Sequence, residues 1–264
     1  MPPLSLPPLG LGTAGVPDAE LVEEALDAGY RFLDTAQVYD TEAIVGEGLA
    51  ASAVDRSEVV VATKVATTNL GYEDALRTAA ESRDRLGTTI DVLYVHWPRD
   101  AYDPEGTWRA FDELVERGVT EHVAVSNFTP ATLDVARERS SVPIVANQIE
   151  YHPLLDQSEM LEYVRAHDMY LVAYAPLADG EALDEPEIEA VAEEYGATPA
   201  QVCLAWLHAQ DRVVPIPGAE APWQARENYA ALGVDLAPED LARIDAIERE
   251  HRVYPDPREY PGVE

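Results

Sequence analysis

The sequence predicts an α/β fold, a single (β/α)8 TIM barrel in which eight parallel strands alternate with helices. Its 264 residues match the usual size of such a barrel. Short β-branched runs alternate with longer amphipathic segments along the whole chain, which is typical of βα units. No interdomain linker or low-complexity tract interrupts the alternation, so we expect one barrel domain over residues 1–264.

The strand-like runs are short, apolar and spaced by one helix each. They lie at 9–14, 31–36, 59–65, 92–98, 122–128, 144–151, 170–177 and 213–219. Eight is the number of strands that closes a barrel. Doubly wound sheets share the alternation, but GLGTAG at 10–15 lacks the GxGxxG spacing of their first turn.

Helix starts and ends are marked by capping residues. Asp18 precedes one amphipathic segment and Gly29 follows it, while Thr198 and Pro199 precede another. The acidic stretch 179–196 predicts an extra helix before the last βα unit.

The charge of the chain is strongly negative, at −32 with 50 acidic residues spread along its length. Such a chain repels phosphate backbones and anionic lipid surfaces, so we expect neither nucleic-acid nor membrane partners. We interpret the charge as the hydrated surface of a protein from a high-salt, haloarchaeal-type cytoplasm, where ions screen the self-repulsion. The charge also disfavours association, so a monomer is expected.

Cysteine content and terminal sequence indicate a reducing compartment. Cys203 is the one cysteine, which excludes an intramolecular disulfide. MPPLSLPPLGLG lacks the basic start and apolar run of a signal peptide, and no 18-residue apolar stretch occurs. We therefore expect a cytoplasmic protein.

Lys64 is the only lysine, and every other basic side chain is arginine. A GC-rich genome explains the lack of lysine elsewhere but not the one that remains. A position that keeps lysine is a candidate for chemistry that a guanidinium cannot perform, such as tuned proton transfer or imine formation.

Polar residues close several of the predicted strands. In a barrel the carboxyl ends of the strands form one rim, which is where catalytic groups gather. These residues are Asp34, Tyr39, Lys64, His96, Trp97, Ser126, Asn127, Gln148 and Tyr174.

Four of these side chains suit one reaction. An ammonium beside a phenol stabilises the phenolate and lowers its pKa, while a carboxylate holds the ammonium in place. A neutral imidazole opposite can hydrogen-bond a substrate oxygen. Such a set is fitted to protonating a carbonyl oxygen while hydride arrives at the carbon.

From about Leu9 to Asn228 the sequence resembles the aldo-keto reductase family, in particular microbial members that reduce diketo acids, glyoxals or small sugars. The motifs are FLDTAQVYDTEAIVGEGL, VVVATKV, LYVHWP, AVSNF, NQIEYHP and AYAPL. The resemblance implies that Tyr39 is the proton donor and that Lys64, paired with Asp34, lowers its pKa. It also implies that His96 orients the carbonyl.

The same resemblance implies how a nicotinamide cofactor is bound. Ser126, Asn127 and Gln148 would hold the carboxamide and Tyr174 would stack on the nicotinamide, while Val38 and Trp97 would line the carbonyl pocket. Further cofactor contacts implied are Ala175, Pro176, Leu177, Ile216, Pro217, Gly218, Gln224, Glu227 and Asn228.

The last βα unit departs from the family pattern and leaves the choice between NADP(H) and NAD(H) open. Many relatives place Lys-Ser after the eighth strand and an Arg in the next helix to hold the 2′-phosphate. Here Ile216, Pro217 and Gln224 stand in those places, and Glu220 aligns with an arginine of a second subgroup. An acid favours a ribose hydroxyl over a phosphate. Arg226 and the helix start near Pro222 are features that still favour phosphate.

The sequence therefore predicts an NAD(P)H-dependent oxidoreductase that reduces a small aldehyde or ketone to an alcohol. No Cys/His/carboxylate cluster has metal-ligand spacing, so no metal is expected. Two alternatives stay open: a Schiff-base lyase that uses Lys64, and a regulatory barrel that binds the cofactor without turnover.

Overall fold

The computed structural model describes residues 4–259, and its centre is a sheet of eight strands in sequential order. Every neighbouring pair is parallel. The strands are β1 Leu11–Gly12, β2 Phe32–Asp34, β3 Val60–Val65, β4 Ile90–Val95, β5 Thr120–Ser126, β6 Ile144–Glu150, β7 Tyr170–Tyr174 and β8 Val213–Pro215.

The sheet closes on itself between β8 and β1. The amides of Gly10 and Gly12 donate to the carbonyls of Pro215 and Pro217, both at 3.0 Å, and Gly12 forms a parallel bridge with Gly218. A Cβ on Gly12 would lie 2.7 Å from the Ile216 carbonyl oxygen, so this approach requires glycine. The predicted (β/α)8 fold is confirmed.

Helices connect the strands in the predicted alternation. They are α1 Ala19–Ala28, α2 Glu42–Ala51, α3 Tyr72–Leu86, α4 Pro104–Glu116, α5 Pro130–Arg139, α6 Ser158–Ala166, α7 Pro186–Tyr195, α8 Pro199–His208, α9 Pro222–Ala230 and α10 Pro238–Asp245. The acidic stretch forms the expected extra helix, α7. Asp18 caps α1 by accepting from the Leu21 amide, and Gly29 ends it with φ 118°.

The hydrophobic core has two layers. The larger one lies between the strands and the surrounding helices. The smaller one fills the barrel interior with side chains that include Phe32, Val92, Tyr94, Val172 and Ile216. This inner layer plugs the barrel, so a site can form only above it, at the carboxyl ends of the strands.

Most strands end earlier than the predicted runs, and two of them, β5 and β7, stop at a residue with left-handed backbone. Asn127 after β5 has φ 62°, and Ala175 after β7 has φ 47°. A left-handed residue cannot continue a strand, so the chain turns at the rim. Within residues 4–259 no helix is long and apolar enough to cross a bilayer.

Candidate active site

A buried ion pair between β2 and β3 forms the base of the site. Lys64 and Asp34 are 0% and 1% exposed, and the Lys64 ammonium donates to Asp34 Oδ1. The ammonium also donates to the Thr35 carbonyl at 2.9 Å, and Gln148 Nε2 donates to Asp34 Oδ2 at 2.7 Å. Both carboxylate oxygens are therefore satisfied, as a buried charge requires.

The protonation of this pair follows from its surroundings. Burial favours loss of the Lys64 proton, but the Asp34 carboxylate and the Tyr39 phenol outweigh it and raise the pKa of Lys64 above its ordinary value. Burial raises the pKa of Asp34, and hydrogen bonds from Lys64 and Gln148 oppose that shift. Lys64 is consequently an ammonium at neutral pH.

Tyr39 lies beside the ammonium, with its ring centroid 5.0 Å from Lys64 Nζ. It ends a short 3-10 turn, Gln37–Tyr39, which the next residue closes with φ 56° at Asp40. Gln37 pins this turn to the neighbouring unit, because its Oε1 accepts from the Ala66 amide at 2.9 Å and its Nε2 donates to Ser82 Oγ at 3.1 Å. The phenol is thereby fixed at the rim.

His96 completes the predicted group of four. Its ring meets the Tyr39 ring edge-on, with centroids 5.8 Å apart and an interplanar angle of 89°. Burial, together with the nearby charges of Lys64 and Arg99, lowers the pKa of His96 to about 3. The imidazole is therefore neutral and can hydrogen-bond a carbonyl oxygen without carrying charge.

A cluster of amide and hydroxyl groups lies at the ends of β5, β6 and β7, next to His96 and Asp34. Ser126 Oγ donates to the Gln148 carbonyl at 2.8 Å, and Asn127 Nδ2 donates to Ser126 Oγ at 3.0 Å. The Tyr174 hydroxyl donates to Asn127 Oδ1 at 2.8 Å. These contacts bring together the four residues that the sequence assigned to carboxamide binding and ring stacking.

A cleft of about 720 Å³ opens above these side chains. Most residues assigned from the sequence line it, namely Asp34, Val38, Tyr39, His96, Trp97, Ser126, Asn127, Gln148, Tyr174, Ala175, Pro176, Leu177, Ile216, Pro217, Gly218 and Gln224. Lys64 lies buried beneath the cleft. Glu227 and Asn228 are not among the lining residues, and Asn228 instead donates to the Gly218 carbonyl at 3.1 Å. Their contact with the cofactor stays a prediction.

The β8–α9 end of the cleft is acidic or uncharged. Ile216 is 5% exposed and packs in the inner core, while Gly218, Ala219 and Glu220 follow it along the cleft wall. Gln224 turns its side chain back onto this loop.

The sequence did not single out Tyr254, Arg99 or Glu150, which also shape the site. Tyr254 and Arg99 line the cleft, and the Tyr254 ring meets the Tyr174 ring edge-on at 5.4 Å. The buried Glu150 carboxylate accepts from the amides of Val253 at 2.7 Å and Tyr254 at 2.9 Å. The sequence did contain one signal for this contact, because Glu150 is a charged residue at the end of a buried strand. The tail reaches the cleft through Tyr254, and residues 260–264 lie outside the described part of the chain.

Comparison with known proteins agrees with this geometry. Residues 8–249 match the model of the aldo/keto reductase family. An aldo-keto reductase of Mycobacterium avium (strain 104) is 38% identical over 98% of this chain and 92% of its own. Glyoxal reductase of Bacillus subtilis (strain 168) is 34% identical over 97% and 94%. The crystal structure of a putative 2,5-diketo-D-gluconic acid reductase B superimposes with a TM-score of 0.90, at 32% identity over 95% and 91%.

A barrel with this rim and these relatives defines a class, the NAD(P)H-dependent oxidoreductases built on eight βα units. Within that class, the chain belongs to the aldo/keto reductase family.

The residues present fit a nicotinamide dinucleotide. The cleft has the size of a cofactor site and is lined by a few convergent polar groups among apolar ones. Ser126, Asn127 and Gln148 offer both donors and acceptors for a carboxamide, and Tyr174 offers an aromatic face for a ring. Among residues 4–259 no group of three or more His, Cys, Asp or Glu side chains is arranged to hold a metal ion.

Proposed function

We propose that this protein reduces a small aldehyde or ketone to the corresponding alcohol, with Tyr39 as the proton donor. The observation that carries the proposal is the buried Lys64 ammonium, which is bonded to Asp34 and lies 5.0 Å from the Tyr39 ring. A fixed positive charge beside the phenol stabilises the negative charge that develops as the proton leaves.

Each of the four residues has one task in this step. A reduced nicotinamide bound in the cleft would supply hydride to the carbonyl carbon. The Tyr39 hydroxyl gives its proton to the carbonyl oxygen, which completes the alcohol. Lys64 stabilises the phenolate that remains, and Asp34 keeps the ammonium in position. The neutral His96 imidazole hydrogen-bonds the substrate oxygen and fixes its approach.

The substrate side of the cleft suits small carbonyl compounds. Val38, 57% exposed, and Trp97 present apolar surface beside His96 and Tyr39, and Tyr254 of the tail also lines the cleft. Two similar proteins are named for a glyoxal and for a diketo acid. We infer that α-dicarbonyl compounds and keto acids are the first substrates to test.

We also propose that the protein works as a monomer in a cytoplasm of high salt concentration. The charge of −32 supports a monomer in a salt-rich cytoplasm, where cations screen the repulsion between carboxylates. The same charge argues against nucleic acid or membrane surfaces as partners.

The direct test is consumption of reduced nicotinamide, followed by its absorbance, with glyoxal and other small carbonyls in molar KCl. Carbonyl-dependent consumption with formation of the alcohol supports the reductase. Borohydride trapping of substrate on Lys64 would instead support the lyase. Nucleotide binding without turnover on any carbonyl would support the regulatory barrel.

A further inference from the structure

We infer that the cofactor is NADH rather than NADPH, and that Glu220 in the β8–α9 loop is the residue that sets this preference. The inference rests on the proposed function, because it concerns the second half of the same nucleotide.

The β8–α9 loop lines the same cleft as the residues that fit the nicotinamide, and we assign this loop to the adenosine half. Ser126, Asn127 and Gln148 occupy the end next to Tyr39 and His96, which fits the nicotinamide. The same cleft is also lined by Ala175, Pro176 and Leu177, by the loop 216–220 and by Gln224. A dinucleotide with its nicotinamide beside Tyr39 therefore extends along the loop that carries Glu220.

Glu220 brings a negative charge to this end of the cleft. Its side chain is exposed and lines the cleft, and its neighbours Gly218 and Ala219 are uncharged. A 2′-phosphate carries up to about two negative charges and needs cationic or N–H partners. A carboxylate repels it but accepts hydrogen bonds from the two hydroxyls of an unphosphorylated ribose.

Arg226, the basic residue nearest to Glu220 in the sequence, does not contribute its charge to this end of the cleft. Arg226 lies in α9, but its guanidinium forms an ion pair with Glu24 of α1, and Arg226 does not line the cleft. Among the described lining residues the one Lys or Arg is Arg99, which stacks on Trp97 at 4.7 Å, at the substrate end. No described cation therefore lines the cleft at Glu220.

The backbone donors of the loop are also engaged. Gln224 Oε1 accepts from the Glu220 amide at 2.7 Å and from the Ala221 amide at 3.2 Å, and Pro222 has no N–H to offer. A phosphate at this helix start would have to displace a neutral acceptor that already satisfies two amides. The same contacts hold the loop that presents the Glu220 carboxylate.

The full chain is titrated with NADH and with NADPH, and its affinity for each is measured by quenching of tryptophan fluorescence, since Trp97 lines the cleft. Glu220→Gln removes the charge, and Glu220→Arg reverses it. Glu138→Arg is the matched control, because it makes the same charge change at an exposed position of α5 outside the cleft. Titrations are run at several KCl concentrations at which circular dichroism shows the protein folded.

We expect the parent to bind NADH roughly tenfold more tightly than NADPH. Glu220→Gln should bring the affinities for NADH and NADPH closer together, and Glu220→Arg should make NADPH the tighter ligand. Glu138→Arg should keep the affinity ratio of the parent. The parent's difference should grow as KCl is lowered, because screening weakens.

Three results would overturn the inference. If the parent binds NADPH more tightly than NADH, the inferred preference for NADH is wrong, while the proposed function is unaffected. An unchanged ratio of NADH affinity to NADPH affinity in Glu220→Arg shows that Glu220 does not set the cofactor preference. Binding of neither nucleotide contradicts the proposed function itself, and the inference with it.

Discussion

Gln148 Nε2 donates a 2.7 Å hydrogen bond to Asp34 Oδ2, and this bond joins the cofactor side of the site to its proton-transfer side. The other oxygen of Asp34 accepts from Lys64. Gln148, Asp34 and Lys64 thus form one buried chain of contacts from β6 to β3. A side chain assigned to the carboxamide also holds the carboxylate that positions the ammonium, so loss of Gln148 would disturb both functions.

Lys64→Arg should lose most of its activity although it keeps the positive charge. Lys64 is fully buried, and a guanidinium is larger and planar, so it does not place one donor on Asp34 and another near Tyr39. We expect kcat to fall by roughly a hundredfold and the free energy of unfolding by about 1–3 kcal/mol. Steady-state kinetics and denaturant unfolding measure the two effects.

The matched control for that variant is Arg77→Lys on the exposed face of α3. Its ion pairs with Asp74 and Glu81 are at the surface, where such pairs contribute little. If Lys64→Arg turns over as fast as the parent, the one lysine of the chain is an accident of composition.

His96 should make stability depend on pH. The unfolded chain protonates this imidazole near 6.5 and the folded protein only near 3. Between these values the unfolded state holds more protons, so the free energy of unfolding falls as the pH is lowered. From about pH 7.5 to about pH 5, His96 should account for about 2 kcal/mol of that loss.

The measurement compares the parent with His96→Gln by denaturant unfolding at both pH values. The variant should lose less stability on acidification, while other groups such as His122 act equally in both proteins. Parallel losses in the two proteins would show that the imidazole is charged in the folded state.

Glu150→Gln should loosen the tail that carries Tyr254. The Glu150 carboxylate accepts two tail amides and a hydrogen bond from His152 Nε2 at 2.9 Å, and an amide group has one acceptor fewer. The lost bond should cost about 1–3 kcal/mol locally. Hydrogen exchange at Val253 and Tyr254 should accelerate, and the KM for the carbonyl should rise.

The control is Glu162→Gln, an exposed residue of α6 that makes the same chemical change. Unchanged exchange at both tail amides in Glu150→Gln would mean that packing of the Tyr254 ring, and not the carboxylate, holds the tail.

Salt should stabilise the fold. With a net charge of −32 the carboxylates repel one another in dilute buffer, and molar KCl screens that repulsion. The melting temperature followed by circular dichroism should therefore be higher in molar KCl. A higher melting temperature in dilute buffer would refute the high-salt interpretation of the composition.

The alternation of runs predicted the barrel, and the rule that strand ends meet at one rim predicted that Asp34, Tyr39, Lys64 and His96 lie together. The bond between Gln148 and Asp34 was beyond the sequence, because it joins residues 114 positions apart through the register of a closed sheet. The position of Tyr254 could not be predicted from the sequence either. Glu150 binds the tail through backbone amides, and no pattern of side chains indicates such a contact.

Tyr39→Phe shows whether the Tyr39 hydroxyl supplies the proton, because the variant removes one oxygen and keeps the ring. Nucleotide affinity by fluorescence and turnover with a small aldehyde are measured on the same preparation in molar KCl. We expect unchanged nucleotide binding with carbonyl reduction abolished. Near-normal turnover in Tyr39→Phe would contradict this expectation.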